Sequence, residues 1–487
     1  MRPSYRVRFA SENKFQSRVK NHPPAPTSTE TGGSPNEAQV LSPSAARKPK
    51  SRSGCKECKH RRVKCDEKYP VCSHCQRRGS VCLSATPSTK WQVEMPWMIT
   101  RPIDEPWMGI VNPKKKLLQY WLEKTSRIMT VCPENNPLSY PLLEHLVSTP
   151  SLLHAVQSVS AGQEHFFQSK ELTTCLQERG LAIQALRHEM QDAANLKPAS
   201  LLTVFLQGVS WSWTEDHPNN YGKEHLQAAR TLLEKMLEDP EKRRDPLVQF
   251  MLGWYLYWDM SCAFIAAPQD LAPLNTAQVF DAIQATRGSF HPMIGFSSEL
   301  LYLIACLGRH CRQVLETDAR DPVLEATFEG QLLAWEPEHD DQDLVDMSIG
   351  YRNHGLIMLY NICGVPFQVD DVTSSEDPSD IVEDSQARIR PLVMDSLERL
   401  FKTPVDAPCF SFHSAPLLTA AAELTKEDVE LRTAAVERFK AIYSTNRVAV
   451  NMWAIELLQE LWDLHDCGIT ITWLELLITK KWTLTFA

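Results

Sequence analysis

A small cysteine-ligated module followed by a large all-α domain is the fold that three features of this 487-residue chain predict. Six cysteines, Cys55, Cys58, Cys65, Cys72, Cys75 and Cys82, repeat the spacing C-x2-C-x6-C twice. Glycine is scarce, at 18 of 487 residues, where about 7% is usual. From residue 114 onward apolar residues recur at i, i+3 and i+4, the stripe of an amphipathic helix, and hairpin signals are few.

Residues 1–50 come first, rich in Ser, Pro, Thr and Asn and without sustained apolar periodicity, so they are expected to form a disordered basic arm. The run Arg47-Lys48-Pro49-Lys50-Ser51-Arg52 within and after it suits nuclear import or phosphate contact. A nuclear location is therefore expected.

The module at 51–84 follows. Two tetrahedral zinc ions need eight ligand positions, and six thiolates fill eight if one cysteine of each half bridges both metals. So short a segment buries too little surface to fold alone, whereas structural zinc supplies roughly 10–16 kcal/mol. A disulfide framework needs an oxidising compartment, and no apolar signal segment opens the chain. Separate mononuclear sites would have to recruit His60 or His74, whose spacing does not fit; both are expected to be exposed. The other eight cysteines, from Cys132 to Cys467, are scattered and read as buried structural thiols.

Charge indicates what the module touches. Residues 1–82 hold 18 Lys and Arg against six Asp and Glu, a net of +12, so the remainder of a chain of net −9 carries −21. A basic head of this kind calls for a polyanionic partner. The halves are unequal, K-H-R-R-V-K between Cys58 and Cys65 against Q-R-R-G-S-V between Cys75 and Cys82. The first half, with Lys59, Arg61, Arg62 and Lys64 fixed between metal-binding cysteines, is the expected reading face.

The stretch from Lys50 to Cys82, K-S-R-S-G-C-K-E-C-K-H-R-R-V-K-C-D-E-K-Y-P-V-C-S-H-C-Q-R-R-G-S-V-C, resembles the fungal binuclear zinc-cluster DNA-binding domain. Lys59 after the second cysteine, Arg61 with Arg62 before the third, and Pro70 before the fourth match its pattern. The resemblance implies two short helices around two zinc ions, with Cys55 and Cys72 bridging. It implies that Cys58 and Cys65 complete one ion, and Cys75 and Cys82 the other. It also implies a helix from about Cys58 entering the major groove of double-stranded DNA at CGG-like sites, with Arg61 and Arg62 near the bases. Guanine offers O6 and N7 side by side to such a side chain, and Arg62 is the foremost candidate. Lys59, Lys64 and Arg52 are expected on phosphates, setting affinity and salt dependence more than sequence preference.

Residues 85–113 are read as a Pro-rich linker. Pro87, Pro96, Pro102, Pro106 and Pro113 break any coiled coil there, so dimerisation through it is not expected. A homodimer would have to form through the body.

The all-α domain spans 114–487. Helices are expected at 115–129, 152–167, 171–191, 201–213, 222–237, 247–266, 299–315, 351–362, 387–402 and, with breaks, 430–464. The run Phe250–Ala267 is apolar, yet it is barely long enough for a bilayer and Asp259 opposes one, so a core helix and no membrane are expected. Its Trp254, Tyr255, Tyr257 and Trp258 read first as packing and second as the lining of a small-molecule effector pocket. Acidic stretches 336–346 and 370–384 read as solvated loops, with co-activator recruitment as the alternative.

This region resembles the fungal-specific transcription factor domain of the second type. The marks are spread out: Y-G-K-E-H-L-Q-A-A-R-T-L-L at 221–233, H-P-M-I-G-F-S-S-E-L-L-Y-L-I at 291–304, Y-R-N-H-G-L-I-M-L-Y at 351–360, and A-P-L-L-T-A-A-A-E-L at 415–424. Arg438-Phe439 and Trp462 add to them, while Ala420–Ala422 stand where the family commonly has glycine. The resemblance implies a regulatory, non-catalytic domain. No G-x-S-x-G, H-E-x-x-H, phosphate loop or dinucleotide fingerprint occurs, and zinc saturated by sulfur has no open position, so no enzyme is expected. The expected function is sequence-specific regulation of RNA polymerase II transcription. The alternative is a zinc-stabilised interaction protein or thiol redox sensor without sequence-specific DNA binding.

Overall fold

The computed structural model describes residues 54–68, 71–83, 114–165, 172–191, 196–214, 217–272, 276–286, 288–337, 339–366 and 378–486. The arm, Arg52, Pro70 and the linker lie outside the described residues, as do 370–377 of the second acidic stretch. Lys50–Ala487 forms one compact unit by itself. Every regular element described is helical; the backbone pairs strand-fashion at one isolated bridge, His291 to Gly295.

Two short helices, α1 (Lys56–His60) and α2 (Ser73–Gln76), belong to the cysteine module. The body begins with α3 (Lys115–Tyr120), whose expected continuation to Met129 is helical but changes winding, wider at Trp121–Thr125 and tighter at Ser126–Met129. There follow α4 (Leu142–Ser148), α5 (Pro150–His165), α6 (Leu172–Glu189), α7 (Pro198–Thr214), α8 (Lys223–Glu238) and α9 (Pro240–Arg243). The middle comprises α10 (Pro246–Ala263), α11 (Ala277–Ala285), α12 (Ser298–Thr317), α13 (Pro322–Ala334), α14 (Gln342–Cys363) and α15 (Pro378–Lys402). The chain closes with α16 (Ser414–Ala422), α17 (Val429–Asn446), α18 (Val450–Asp466) and α19 (Trp473–Lys480).

Local chemistry fixes many of these starts. Asp245 and Asp321 accept backbone N–H groups of Leu247 (2.8 Å) and Leu324 (3.1 Å), each followed by a proline in the first helical turn. Thr472 and Glu475 form a reciprocal capping box at α19.

Two expectations about acidic loops are corrected here. Asp341 caps α14 by accepting from Asp343 N (3.0 Å) and Leu344 N (3.4 Å), so 342–346 are helix. Acidic residues suit that terminus because the helix dipole is positive there. Likewise 378–384 form the first turns of α15.

Helix α10 is the axis of the core, buried along nearly its whole length and packed on α7, α8 and α12. Its one charge is answered bidentately: Arg309 of α12 donates to both Asp259 oxygens (2.6 and 2.8 Å), and Tyr255 OH adds a third bond at 3.1 Å. Trp254 and Trp258 pack on Phe205, with centroids 5.3 and 5.9 Å apart. Of the four aromatics, Trp254 and Tyr257 line a narrow cavity with Trp213, Met293 and Phe412, whereas Tyr255 and Trp258 do not. No helix among the described residues is long and apolar enough to cross a membrane.

Three of the spread-out sequence marks, 351–360, 415–424 and Trp462, meet in space. Tyr351 OH donates to Phe412 O (2.7 Å), His354 Nδ1 bonds Thr419 Oγ1 (2.7 Å), and Trp462 Nε1 donates to Ala421 O (2.9 Å). The three alanines where glycine was the family habit are fully buried in α16, so methyl groups fit that contact.

Candidate metal centre and nucleic-acid face

Each C-x2-C folds in the same way. Cys55 and Cys72 are the N-caps of α1 and α2, and their sulfurs accept the amides of Cys58 (3.3 Å) and Cys75 (3.4 Å). After each helix the chain turns back identically: Val63 N donates to Cys58 O (3.0 Å) and Ser80 N to Cys75 O (3.1 Å). That turn requires a left-handed residue, supplied by Arg62 (φ 56°) in the first half and Gly79 (φ 55°) in the second. The backbone repeat thus follows the sequence repeat.

The six thiols converge in two overlapping sets. Cys55, Cys58, Cys65 and Cys72 place their sulfurs within 4.8 Å of one another, and so do Cys55, Cys72, Cys75 and Cys82. Cys55 and Cys72 belong to both, with sulfurs 3.8 Å apart. All six are buried, and neither His60 nor His74 joins them. Glu67 N on Cys65 (3.3 Å) and Cys72 N on Cys82 (3.4 Å) orient further sulfurs. Burial pushes the thiols of Cys58, Cys75 and Cys82 well above the ordinary range. At Cys72 burial acts the same way, but hydrogen bonds from the Cys75 amide and neighbouring thiols outweigh it and bring the group down to about 7. Six sulfurs this close and this dry need a cation to ionise together, and the all-sulfur donor set fits two tetrahedral zinc ions.

Basic side chains are exposed on both halves, Lys59, Arg62 and Lys64 on the first and Arg77 and Arg78 on the second. Arg61 is half-buried beside Glu57, its Nε 3.9 Å from the carboxylate. The second half also meets α17. Cys82 N donates to Ser444 Oγ (2.8 Å), and Gly79 is buried where a Cβ would collide with the Glu437 side chain. Val71, Cys75 and Ser80 line this junction opposite Val405, Ala434 and Arg438. Sequence reasoning missed this docking surface.

The remaining cysteines are all free thiols. Cys175, Cys262, Cys311, Cys363 and Cys409 are buried as expected, Cys132 and Cys306 are half-buried, and Cys467 is exposed, which corrects the reading of all eight as buried.

A cysteine-only binuclear cluster joined to an all-α body defines a class of zinc-cluster protein. The family comparison then identifies it: residues 116–487 match the fungal specific transcription factor domain and residues 53–92 the fungal Zn(2)-Cys(6) binuclear cluster domain, so the chain belongs to this family. Its cofactor is accordingly two zinc ions. Among similar proteins, the Zn(2)-C6 fungal-type transcription factor afumD of Aspergillus fumigatus is 54% identical over 39 residues, 8% of this chain and 10% of that one. A Zn(2)-C6 fungal-type transcription factor of Gibberella zeae is 47% identical over 38 residues, 8% of each chain. The pestheic acid cluster transcriptional regulator 3 of Pestalotiopsis fici is 27% identical over 126 residues, 25% of this chain and 21% of that one. The matches thus span about a fifth or less of these relatives' length. No solved structure matches the chain.

Proposed function

We propose that this chain is a nuclear, sequence-specific regulator of RNA polymerase II transcription, and not an enzyme. Cys55 and Cys72 bridge two zinc ions, Cys58 with Cys65 and Cys75 with Cys82 complete them, and the first half of the cluster reads a CGG-like triplet in the major groove. Arg61 and Arg62 face the bases; Lys59, Lys64 and Arg52 hold phosphates. One observation carries this reading. The first half carries exposed Lys59, Arg62 and Lys64 on a frame fixed by buried cysteines, while the second half, which also shows Arg77 and Arg78 to solvent, is tied to α17 through Cys82 and Gly79. A reading head needs that polarity, because base contacts demand a rigid projecting edge and the scaffold must hold it from behind.

The helical body controls output through the same junction. The contacts that such control would use are Ser444 Oγ, which accepts the Cys82 amide at 2.8 Å, and Glu437 beside Gly79. The test is fluorescence anisotropy of the zinc-loaded full chain on duplexes with and without a CGG triplet, at moderate salt. Preference for the triplet, with affinity falling steeply as salt rises, is expected. Equal binding to both duplexes would leave the interaction-protein or redox reading in its place.

A further inference from the structure

Far from the cysteine module in sequence, the junction of α12, α13 and α14 buries a second set of metal-ligating groups. His310 and Cys311 come from α12, Glu325 from the first turn of α13, and Cys363 ends α14. Glu325, Cys311 and Cys363 are at most 1% exposed and His310 is 9% exposed. His310 Nε2 lies 3.0 Å from Glu325 Oε1, and the ligand atoms of His310, Glu325 and Cys363 all fall within 4.8 Å of one another. The Cys311 thiol, next in the chain to His310, faces Met358 O at 4.0 Å and is not one of these three. Helix packing alone gives no reason for an imidazole, a carboxylate and a thiol to converge in a dry interior.

We propose that this cluster is a zinc site separate from the cysteine module, with His310, Glu325 and Cys363 as ligands. The donors are the mixed nitrogen, oxygen and sulfur set that suits zinc, whereas magnesium and calcium favour oxygen alone. The charges close as well. One divalent ion, one thiolate and one carboxylate sum to zero, and Arg320, 36% exposed, carries its own charge toward solvent. Neutrality matters because an uncompensated charge in the interior is costly. Arg320 is also placed as an outer-shell partner: it donates to Glu325 Oε2 at 2.5 Å from Nη2 and 3.2 Å from Nε, and Nε reaches Oε1 at 3.3 Å. Oε1, the oxygen turned toward His310 and the less tightly held by Arg320, is the one that serves the metal. The three ligands come one from each helix and are buried together, so the ion's work is to tie α13 to α12 and α14. That helix gains from a tie, since Val323 and Leu333 on it face solvent.

Zinc content of the full chain, purified with excess zinc and exchanged into metal-free buffer, reads the proposal directly. Three ions per chain are expected, falling to two in Cys363→Ser and in Glu325→Gln, and staying at three in Cys409→Ser, a buried cysteine outside the cluster. Should Cys363→Ser fail to fold, Glu325→Gln, which keeps the volume and a hydrogen-bonding side chain, decides alone. Cobalt(II) replacement gives a second readout: a third equivalent whose thiolate charge-transfer band is absent from Cys363→Ser. Two ions in the wild-type chain, or three in the folded variants, would overturn the proposal and leave a metal-free hydrogen-bonded cluster.

Discussion

Arg62 and Gly79 hold the same place in the two halves of the cysteine module, four residues after the second cysteine, and share a left-handed backbone at φ 56° and 55°. Glycine takes that conformation freely, whereas a side chain there costs about 1 kcal/mol. The second half has the unstrained residue and packs it against α17; the first keeps an exposed arginine in spite of the strain.

A pair of substitutions separates the backbone from the side chain. Arg62→Gly should hold both zinc ions at least as tightly as the wild type in chelator competition, while Arg62→Ala retains the strain and trails it by about 1 kcal/mol. Both should lose triplet preference in duplex binding, by roughly tenfold or more, as expected for loss of a bidentate guanine contact. Retained preference in both would move the base contact to another residue.

At the junction with α17, Ser444→Ala removes the acceptor of the buried Cys82 amide. The unmet N–H weakens docking by about 1–3 kcal/mol. Hydrogen exchange should show faster exchange at Cys82 and along α17 with zinc content unchanged. Unaltered exchange would mean that the junction does not carry the coupling.

In the core, Arg309→Ala leaves Asp259 buried without its cation. Urea unfolding should register a loss of about 3–5 kcal/mol. The double variant Asp259→Leu with Arg309→Met should recover most of it, since the pair is weak evidence for stability as such.

Stability should also fall in acid for a stated reason. Burial holds His291 and His354 down to about 4, from an ordinary value of 6.5. His291 meets Phe250 O at 2.9 Å, and His354 meets Thr419 at 2.7 Å. Both are therefore neutral in the folded chain. A histidine depressed in this way contributes stability that is complete above 6.5 and is lost as pH falls toward 4, because the unfolded chain takes up the proton first. The loss should reach on the order of 2 kcal/mol per histidine by pH 4. His354→Gln should flatten the pH dependence of the urea midpoint between 6.5 and 4; an unchanged slope would contradict the assignment.

Several of these features could be read before any coordinates. The cysteine spacing exposed the paired thiol sets because metal geometry tolerates few spacings, and aligning the halves already sets Arg62 opposite Gly79. Helices α8 and α12 followed from a clear apolar stripe, and α10 from an uninterrupted apolar run long enough for a core helix. By contrast, α13 was missed because Val323, Leu324 and Leu333 are apolar yet exposed, which smears its stripe. Helix α16 was missed for the opposite reason, since every residue of it is buried and no polar face marks a period. The acidic start of α14 looked like loop because its charges do helical work, Asp341 as cap and Asp346 in an ion pair with Arg399 at 2.7 Å. The docking of Cys82 on Ser444 joins residues 362 positions apart, and no local pattern encodes such a contact.

The first half of the cluster should read a guanine-containing triplet, and selection of bound sequences from a random duplex pool with the zinc-loaded full chain reports it. Recovered duplexes should carry a CGG-like triplet, unpaired if one chain binds and repeated at fixed spacing if two do. A pool with no enriched sequence, recovered with protein that still holds its zinc, would contradict it.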